Sequence, residues 1–193
     1  MKAEPEQNEW ALARAARQGD REAVQLLLVQ NWTWLRGLLY GVLADAQDLD
    51  DVLQDVCLRV ITKIHTLREP ERFRGWLAIL ARREALKHYR RRAKQAVLLD
   101  GPASPLAAPA YEEMPPEAAE KNELCMRILE AAKRLPQKYR EVFMLAHCGE
   151  LSYAEMAKIL DVPVTTMQIR LVRARRMVQN QVIGKTACKV QER

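Results

Sequence analysis

The sequence predicts an all-α protein of two small helical domains joined by a proline-rich linker, and three observations lead there. Aromatic residues are only 6% of the chain and glycines number 7, while Ala, Leu, Arg and Glu abound. The β-branched and aromatic runs that sheets favour are therefore scarce, and strong helix formers dominate. Apolar residues recur at spacings of three and four over several segments, the period of a helix with one buried face. Five of the nine prolines, Pro102, Pro105, Pro109, Pro115 and Pro116, fall between Ala96 and Glu120. Proline fixes φ and lacks a backbone donor, so this stretch is expected to be extended or disordered. It separates a domain over residues 1–95 from a second over 121–193, both near the lower size limit for independent stability.

In the first domain, Asp20 is placed to cap a helix starting at Arg21, with Ala23, Leu26, Leu27, Leu35, Leu38 and Leu39 as its apolar stripe. The most apolar stretch, Val24 to Leu43, is interrupted by Gln30, Asn31, Arg36 and Gly37. It falls short of the roughly 18 uninterrupted apolar residues of a membrane span. With no signal peptide visible at the acidic, polar start of the chain, a cytoplasmic protein is expected. The next helix, about Gln47 to Ile64, sets Leu49, Val52, Leu53, Val56, Val60 and Ile64 on one side and Asp51, Gln54, Asp55 and Arg59 toward the other. A short loop, His65 to Arg72, leads into a helix from Phe73 to about Lys94, expected to bury Phe73, Trp76, Leu77, Leu80 and Leu86.

In the second domain, helices are expected over about 120–134, 137–147, 152–160 and 163–182, with Pro136 and Gly149 marking breaks. Ser152 with Glu155 three residues on is a capping box. Asp161 occupies the left-handed position of the following turn, usually glycine, and Pro163 suits the first turn of the next helix. That last helix buries Met167, Leu171, Ala174 and Val178. Its other faces carry Thr165, Thr166, Gln168, Ile169, Arg170, Val172, Arg173, Arg175 and Arg176. Glutamine can pair with adenine in bidentate fashion, Ile or Val can meet a thymine methyl, and arginine reaches guanine or phosphate. A helix-turn-helix with a major-groove recognition helix fits; a helical hairpin with solvated arginines is the plainer alternative.

The charge is unevenly distributed. The net +6 resolves into −3 over residues 1–50, +7 over 51–94, −5 over 95–123 and +7 over 124–193. Two separated basic blocks suit a polyanion touched twice, because each phosphate contact releases condensed counterions. From Arg82 to Lys94, seven cations face one anion over thirteen residues. Like charges at i,i+4 repel along a helix, and phosphates would relieve them. Tyr89 and His88 add stacking surface for unpaired bases, although Tyr89 can equally cap the core. The carboxylates around Asp50, Asp51 and Asp55 would repel DNA. They suit either a protein partner or the positive end of the helix dipole.

Nothing points to catalysis or a cofactor. His65, His88 and His147 lack metal-like spacing, no glycine-rich phosphate loop exists, and Cys57, Cys125, Cys148 and Cys188 form no CxxC pair. Burial as small apolar residues is the expected role for most of the cysteines.

Several of these segments resemble, in order and spacing, a bacterial sigma factor of the extracytoplasmic-function (ECF) group, the small two-domain specificity subunits of RNA polymerase. Residues 48–60 (DLDDVLQDVCLRV) resemble the family's regions 2.1 to 2.2, residues 73–83 (FRGWLAILARR) resemble region 2.3, and Arg90, Arg91 and Arg92 lie in region 2.4. Residues 135–143 (LPQKYREVF), 151–157 (LSYAEMA) and 162–175 (VPVTTMQIRLVRAR) follow region 4. The resemblance implies that Asp51, Gln54 and Asp55 dock on the clamp helices of the largest polymerase subunit, with the flap of the second subunit as a further contact. It implies that the loop over residues 65–72 and Arg74, Trp76, Arg82, Arg83, Lys87, Tyr89, Arg90 and Arg91 open and hold the minus 10 element of promoter DNA. Gln168, Ile169, Val172 and Arg173 would face the bases of the minus 35 element, while Thr166, Arg170 and Arg176 are better placed for its backbone and Thr165 belongs to the same DNA-facing set. Family members are usually silenced by an anti-sigma factor, so such a partner is expected. A stand-alone helix-turn-helix regulator is the alternative. The chain departs from the family's usual residues at Gln168 and Ile169, where a cation and a hydroxyl are common, at Asp161, where glycine is common, and at Arg83 and Lys87.

Overall fold

The computed structural model describes residues 3–43, 47–98, 119–148 and 151–191. The chain divides into two compact units, 1–106 and 107–193, and among the described residues every regular element is helical. The proline-rich core of the expected linker lies outside the described residues. At its edges, helix continues to Leu98 and resumes at Ala119.

The first unit contains α1 (Ala3–Arg17), α2 (Arg21–Gln30), α3 (Trp32–Leu43), α4 (Gln47–Lys63) and α5 (Phe73–Leu98). The segment between α4 and α5 is not plain loop: it forms two short 3-10 turns, Ile64–Thr66 and Pro70–Arg72. Asp20 caps α2 as expected, its carboxylate accepting from the amides of Glu22 at 2.9 Å and Ala23 at 3.1 Å. The apolar stretch from Val24 is split at Asn31, which ends α2. Its buried side-chain amide donates to Leu27 O at 3.0 Å, beside the Asn31 backbone N–H that reaches the same carbonyl at 3.1 Å, so both donors are satisfied at the helix end. Beyond it, α3 is buried from Trp34 to Leu43 save for Arg36 and Gly37, so this helix is the centre of the bundle.

Packing of α4 and α5 onto α3 closes the core. Leu49, Val52, Leu53, Val56, Val60 and Ile64 are all buried, as their spacing predicts. On α5 the buried face differs from expectation. Phe73, Leu77, Ala78, Ala81 and Ala85 are each at most 1% exposed, whereas Trp76, Leu80 and Leu86 are half-buried at the margins. Alanine's small side chain allows close helix approach, and the larger residues then pack around the contact. Leu26 also departs from the predicted stripe, since it is exposed and α2 buries only Ala23, Val24 and Leu27.

The second unit contains α6 (Ala119–Lys133), α7 (Gln137–Cys148), α8 (Tyr153–Leu160) and α9 (Val164–Gln191). Arg140 is buried, and its guanidinium donates to the carbonyls of Lys133 at 3.3 Å and Leu135 at 3.0 Å at the end of α6. This charged side chain therefore closes the α6–α7 turn rather than reaching solvent. The α8 capping box is formed in both directions: Glu155 N donates to Ser152 Oγ at 3.3 Å, and Ser152 N donates to Glu155 Oε2 at 2.8 Å. Asp161 adopts φ 56° and ψ 51°, the left-handed conformation. Val162 N returns to Ala157 O at 3.1 Å, which turns the chain into α9. Met156, Ala157, Ile159 and Leu160 of α8 pack with Met167, Leu171, Ala174 and Val178 of α9, all buried.

Candidate nucleic-acid interface

With one face of α9 fixed inward by Met167, Leu171, Ala174 and Val178, the opposite face is determined. Thr165, Gln168, Arg173, Arg175 and Arg176 are exposed, and Thr166 and Arg170 are half-buried. Ile169 is 53% exposed and Val172 66%, adjacent across one helical turn beside Gln168. Exposed branched apolar residues add little to this unit's core, but they suit contact with thymine methyls. Arg173 is not free-standing, because it donates to the Tyr139 hydroxyl on α7. That hydrogen bond, chief among the causes, holds the phenol below the usual tyrosine range; Lys138 and Arg170 nearby act in the same direction. Lys138 Nζ also sits 5.1 Å from the Tyr139 ring centre. A cluster of three cations thus borders the exposed face of α9, and an anionic backbone would find it there.

In the first unit, α5 separates its alanine face from a basic one. Arg83, Lys87, Arg90, Arg91 and Lys94 are exposed along it, and Tyr89 is 45% exposed rather than capping the core. The other candidates on this helix are engaged to different degrees. Arg74 is held by Glu9 at 3.2 Å, Trp76 lies tilted against Phe73 with ring centres 6.1 Å apart, and Arg82 is half-buried. Arg92 is bonded to Asp48 on α4, and His88 Nδ1 lies 4.0 Å from the same carboxylate. Glu84, the only anion of the basic stretch, is shared by Arg59 at 3.1 Å and Lys87 at 3.5 Å.

The acidic residues of α4 divide into two groups. Asp48 is taken by Arg92 and Asp50 by Arg36 at 3.0 Å. Asp51, Gln54 and Asp55 are exposed, and among the described residues neither carboxylate of that trio forms an ion pair. The face continues with Leu58, 58% exposed, and Ile61, 56% exposed, which the sequence reading left out. The signal was available: once 49, 52, 53, 56, 60 and 64 are assigned to the core, positions 51, 54, 55, 58 and 61 fall together on the outward side.

Cys125 is exposed and Cys57 half-buried, against the expectation of burial, while the side chains of Cys148 and Cys188 lie outside the described residues. Desolvation raises the Cys57 thiol above its ordinary range, which keeps it protonated and unreactive. Among the described residues no helix is long and apolar enough to cross a membrane.

An α-helical unit with a basic helix beside an acidic face, followed by a helix-turn-helix unit, defines a DNA-reading transcription protein. Comparison with known proteins makes this specific. Residues 27–95 match the family Sigma-70 region 2, and residues 125–178 match Sigma-70, region 4. The chain is 30% identical over 144 residues to the ferric citrate uptake sigma factor FecI of Escherichia coli (strain K12), covering 73% of this chain and 80% of that one. It is 25% identical over 175 residues to the ECF RNA polymerase sigma factor SigW of Bacillus subtilis (strain 168), covering 88% of this chain and 94% of the relative. The fold is shared with the sigma factor RpoE of Bartonella quintana, solved in complex with the anti-sigma factor NepR. The TM-score is 0.68 at 21% identity, over 82% of this chain and 95% of that one. The chain belongs to the ECF group of the sigma-70 family of RNA polymerase sigma factors.

Proposed function

We propose that this chain initiates transcription as a dissociable polymerase subunit that contacts promoter DNA through both units and performs no covalent chemistry of its own. The observation that supports this best is the partition of α4 and α9. Each spends one face on its own core and leaves the other exposed, anionic on α4 and cationic with apolar patches on α9. Asp51, Gln54 and Asp55 are the residues proposed to dock on the clamp helices of the largest polymerase subunit, with the second unit contacting the flap. Arg83, Lys87, Tyr89, Arg90 and Arg91 would hold the displaced strand of the minus 10 element, together with the loop over residues 65–72, Arg74, Trp76 and Arg82. Gln168, Ile169, Val172 and Arg173 would read the minus 35 element, flanked by Thr165, Thr166, Arg170 and Arg176 on its backbone.

The chain's action is placed in the cytoplasm, where core polymerase and genome meet, and an anti-sigma factor is the expected negative regulator. The stand-alone regulator is less well supported, because a repressor has no use for unpaired carboxylates that repel DNA. The deciding experiment is transcription in vitro of fragmented genomic DNA from the host by core polymerase with and without the purified chain. Discrete new transcripts are expected only with both. Their absence, combined with tight duplex binding by the chain alone, would favour the regulator.

A further inference from the structure

Helix α1 lies outside the stretch matched to Sigma-70 region 2, which begins at residue 27, yet its side chains reach the segment between α4 and α5. Arg17 Nη1 donates to the backbone carbonyl of Arg68 at 3.0 Å. Arg14 lies 3.9 Å from Glu71. Glu9, itself buried, accepts from Arg74 Nε at 3.2 Å and from the Asn31 amide at 2.8 Å. Ala13 and Ala16 are fully buried, so α1 is seated closely against its neighbours, which include both 3-10 turns.

The segment from His65 to Arg72 has little else to hold it. Leu67 alone is buried among these eight residues. Its short-range bonds close each turn separately: Leu67 N to Ile64 O at 3.0 Å and Thr66 Oγ1 to Lys63 O at 2.7 Å in the first, Arg72 N to Glu69 O at 3.0 Å and Arg72 Nε to the Glu69 carboxylate at 2.6 Å in the second. The carbonyl of Arg68 lies between the two turns and is held from α1. A segment with few buried contacts opens locally at low cost, so the bond to Arg68 O biases how often it departs from its resting shape.

We infer that α1 is a positioning element for strand opening: Arg17 fixes the backbone at Arg68 and Glu9 fixes Arg74, so the loop and the first turn of α5 meet the displaced strand in one arrangement. This rests on the strand-opening role proposed above for that loop. Arg17 is a positioning residue, since it need not touch DNA. Its own exposure means that its loss is felt in the loop far more than in global stability.

The test compares the full chain with Arg17→Met, which keeps the aliphatic stem but loses the donor, and Arg17→Lys, which keeps a donor. Three quantities are measured: amide hydrogen exchange over 64–73 against α3, affinity of the chain for core polymerase, and affinity of the holoenzyme for single-stranded DNA. The DNA probe is the non-template strand of a promoter selected from random duplexes by the wild-type holoenzyme. Arg17→Met is expected to speed exchange in the loop about five-fold and to weaken strand binding by a similar factor, the effect of one lost hydrogen bond. Exchange in α3 and core affinity stay unchanged, and Arg17→Lys recovers most of the loss. Unchanged loop exchange overturns the inference, as does faster exchange without weaker strand binding. A parallel fall in core affinity also overturns it, by making Arg17 a general stability residue. If the wild-type holoenzyme ignores the strand, the strand-opening reading itself fails, and the exchange data still report separately whether Arg17 holds the loop.

Discussion

Arg92 on α5 is bonded to Asp48 in the first turn of α4, an ion pair that removes one cation from the basic stretch and one carboxylate from the acidic face. The Asp48 side chain is 18% exposed, whereas Asp51 and Asp55, one and two turns further on, are exposed. Carboxylates on the same helix therefore serve different ends. Asp48→Ala removes this ion pair and, because the Arg92 side chain is 40% exposed and screened by solvent, is expected to cost about 0.5–1.5 kcal/mol of stability. Asp55→Arg is expected to change stability by no more than about 0.5 kcal/mol, yet to weaken binding to core polymerase. Urea unfolding and a polymerase titration on both variants check the contrast. A destabilised Asp55→Arg would place that residue in the fold rather than at a docking surface.

Asp161 is the only non-glycine residue with positive φ among those described. An L-residue with a Cβ is strained there, and aspartate tolerates it better than most. Asp161→Gly is expected to raise stability slightly, by up to about 1 kcal/mol, because relief of strain outweighs the greater freedom of glycine in the unfolded chain. Asp161→Val is expected to lower it, and more steeply. Thermal unfolding of the two variants gives the signs.

Gln168 is exposed beside Ile169 on the outward side of α9. If it reads a base, Gln168→Ala costs about 1–3 kcal/mol at one base pair and relaxes the preference there. The measurement is holoenzyme affinity for a set of promoters, each changed at a single minus 35 position. An equal loss across the whole set would show that Gln168 positions the helix and reads nothing.

Arg90 and Arg92 lie two residues apart on α5, but Arg90 is exposed and Arg92 is committed to Asp48. Arg90→Ala is expected to flatten the dependence of log affinity on log salt by about 0.9, the value for one duplex phosphate, or about 0.7 for a single strand. Its stability is unaltered. Arg92→Ala is expected to do the reverse, lowering stability with little change in the salt slope.

Much of this was legible in the sequence where a strong local rule operates. The Ser152–Glu155 capping box, the Asp20 cap, the left-handed position at Asp161 and the buried stripes of α4 and α9 each follow from a pattern within a few residues. What escaped depends on distant partners. The inner face of α5 joins Phe73 and Leu77 to alanines whose burial is decided by how closely the neighbouring helices approach, and side-chain size alone points instead to the larger Trp76, Leu80 and Leu86. Helix α1 has no comparable signature: its fully buried residues are Ala13 and Ala16, and its buried Glu9 is stabilised by Asn31 and Arg74, 22 and 65 positions away. At the candidate site, exposure followed from periodicity. The division between free and committed charges did not, since Arg36, Arg74 and Arg92 look like any other cation until their carboxylates are in view.

The two helices that carry the basic faces are not equally free to change. In α5 the exposed cations alternate with residues that close the bundle, and Arg92 and Glu84 bind it to α4. A new target preference written into α5 must keep that bundle intact. The outward side of α9 at Gln168, Ile169 and Val172 has no such duty, so if that side reads the promoter as proposed, its side chains can be exchanged to shift the preference while the scaffold beneath is left alone.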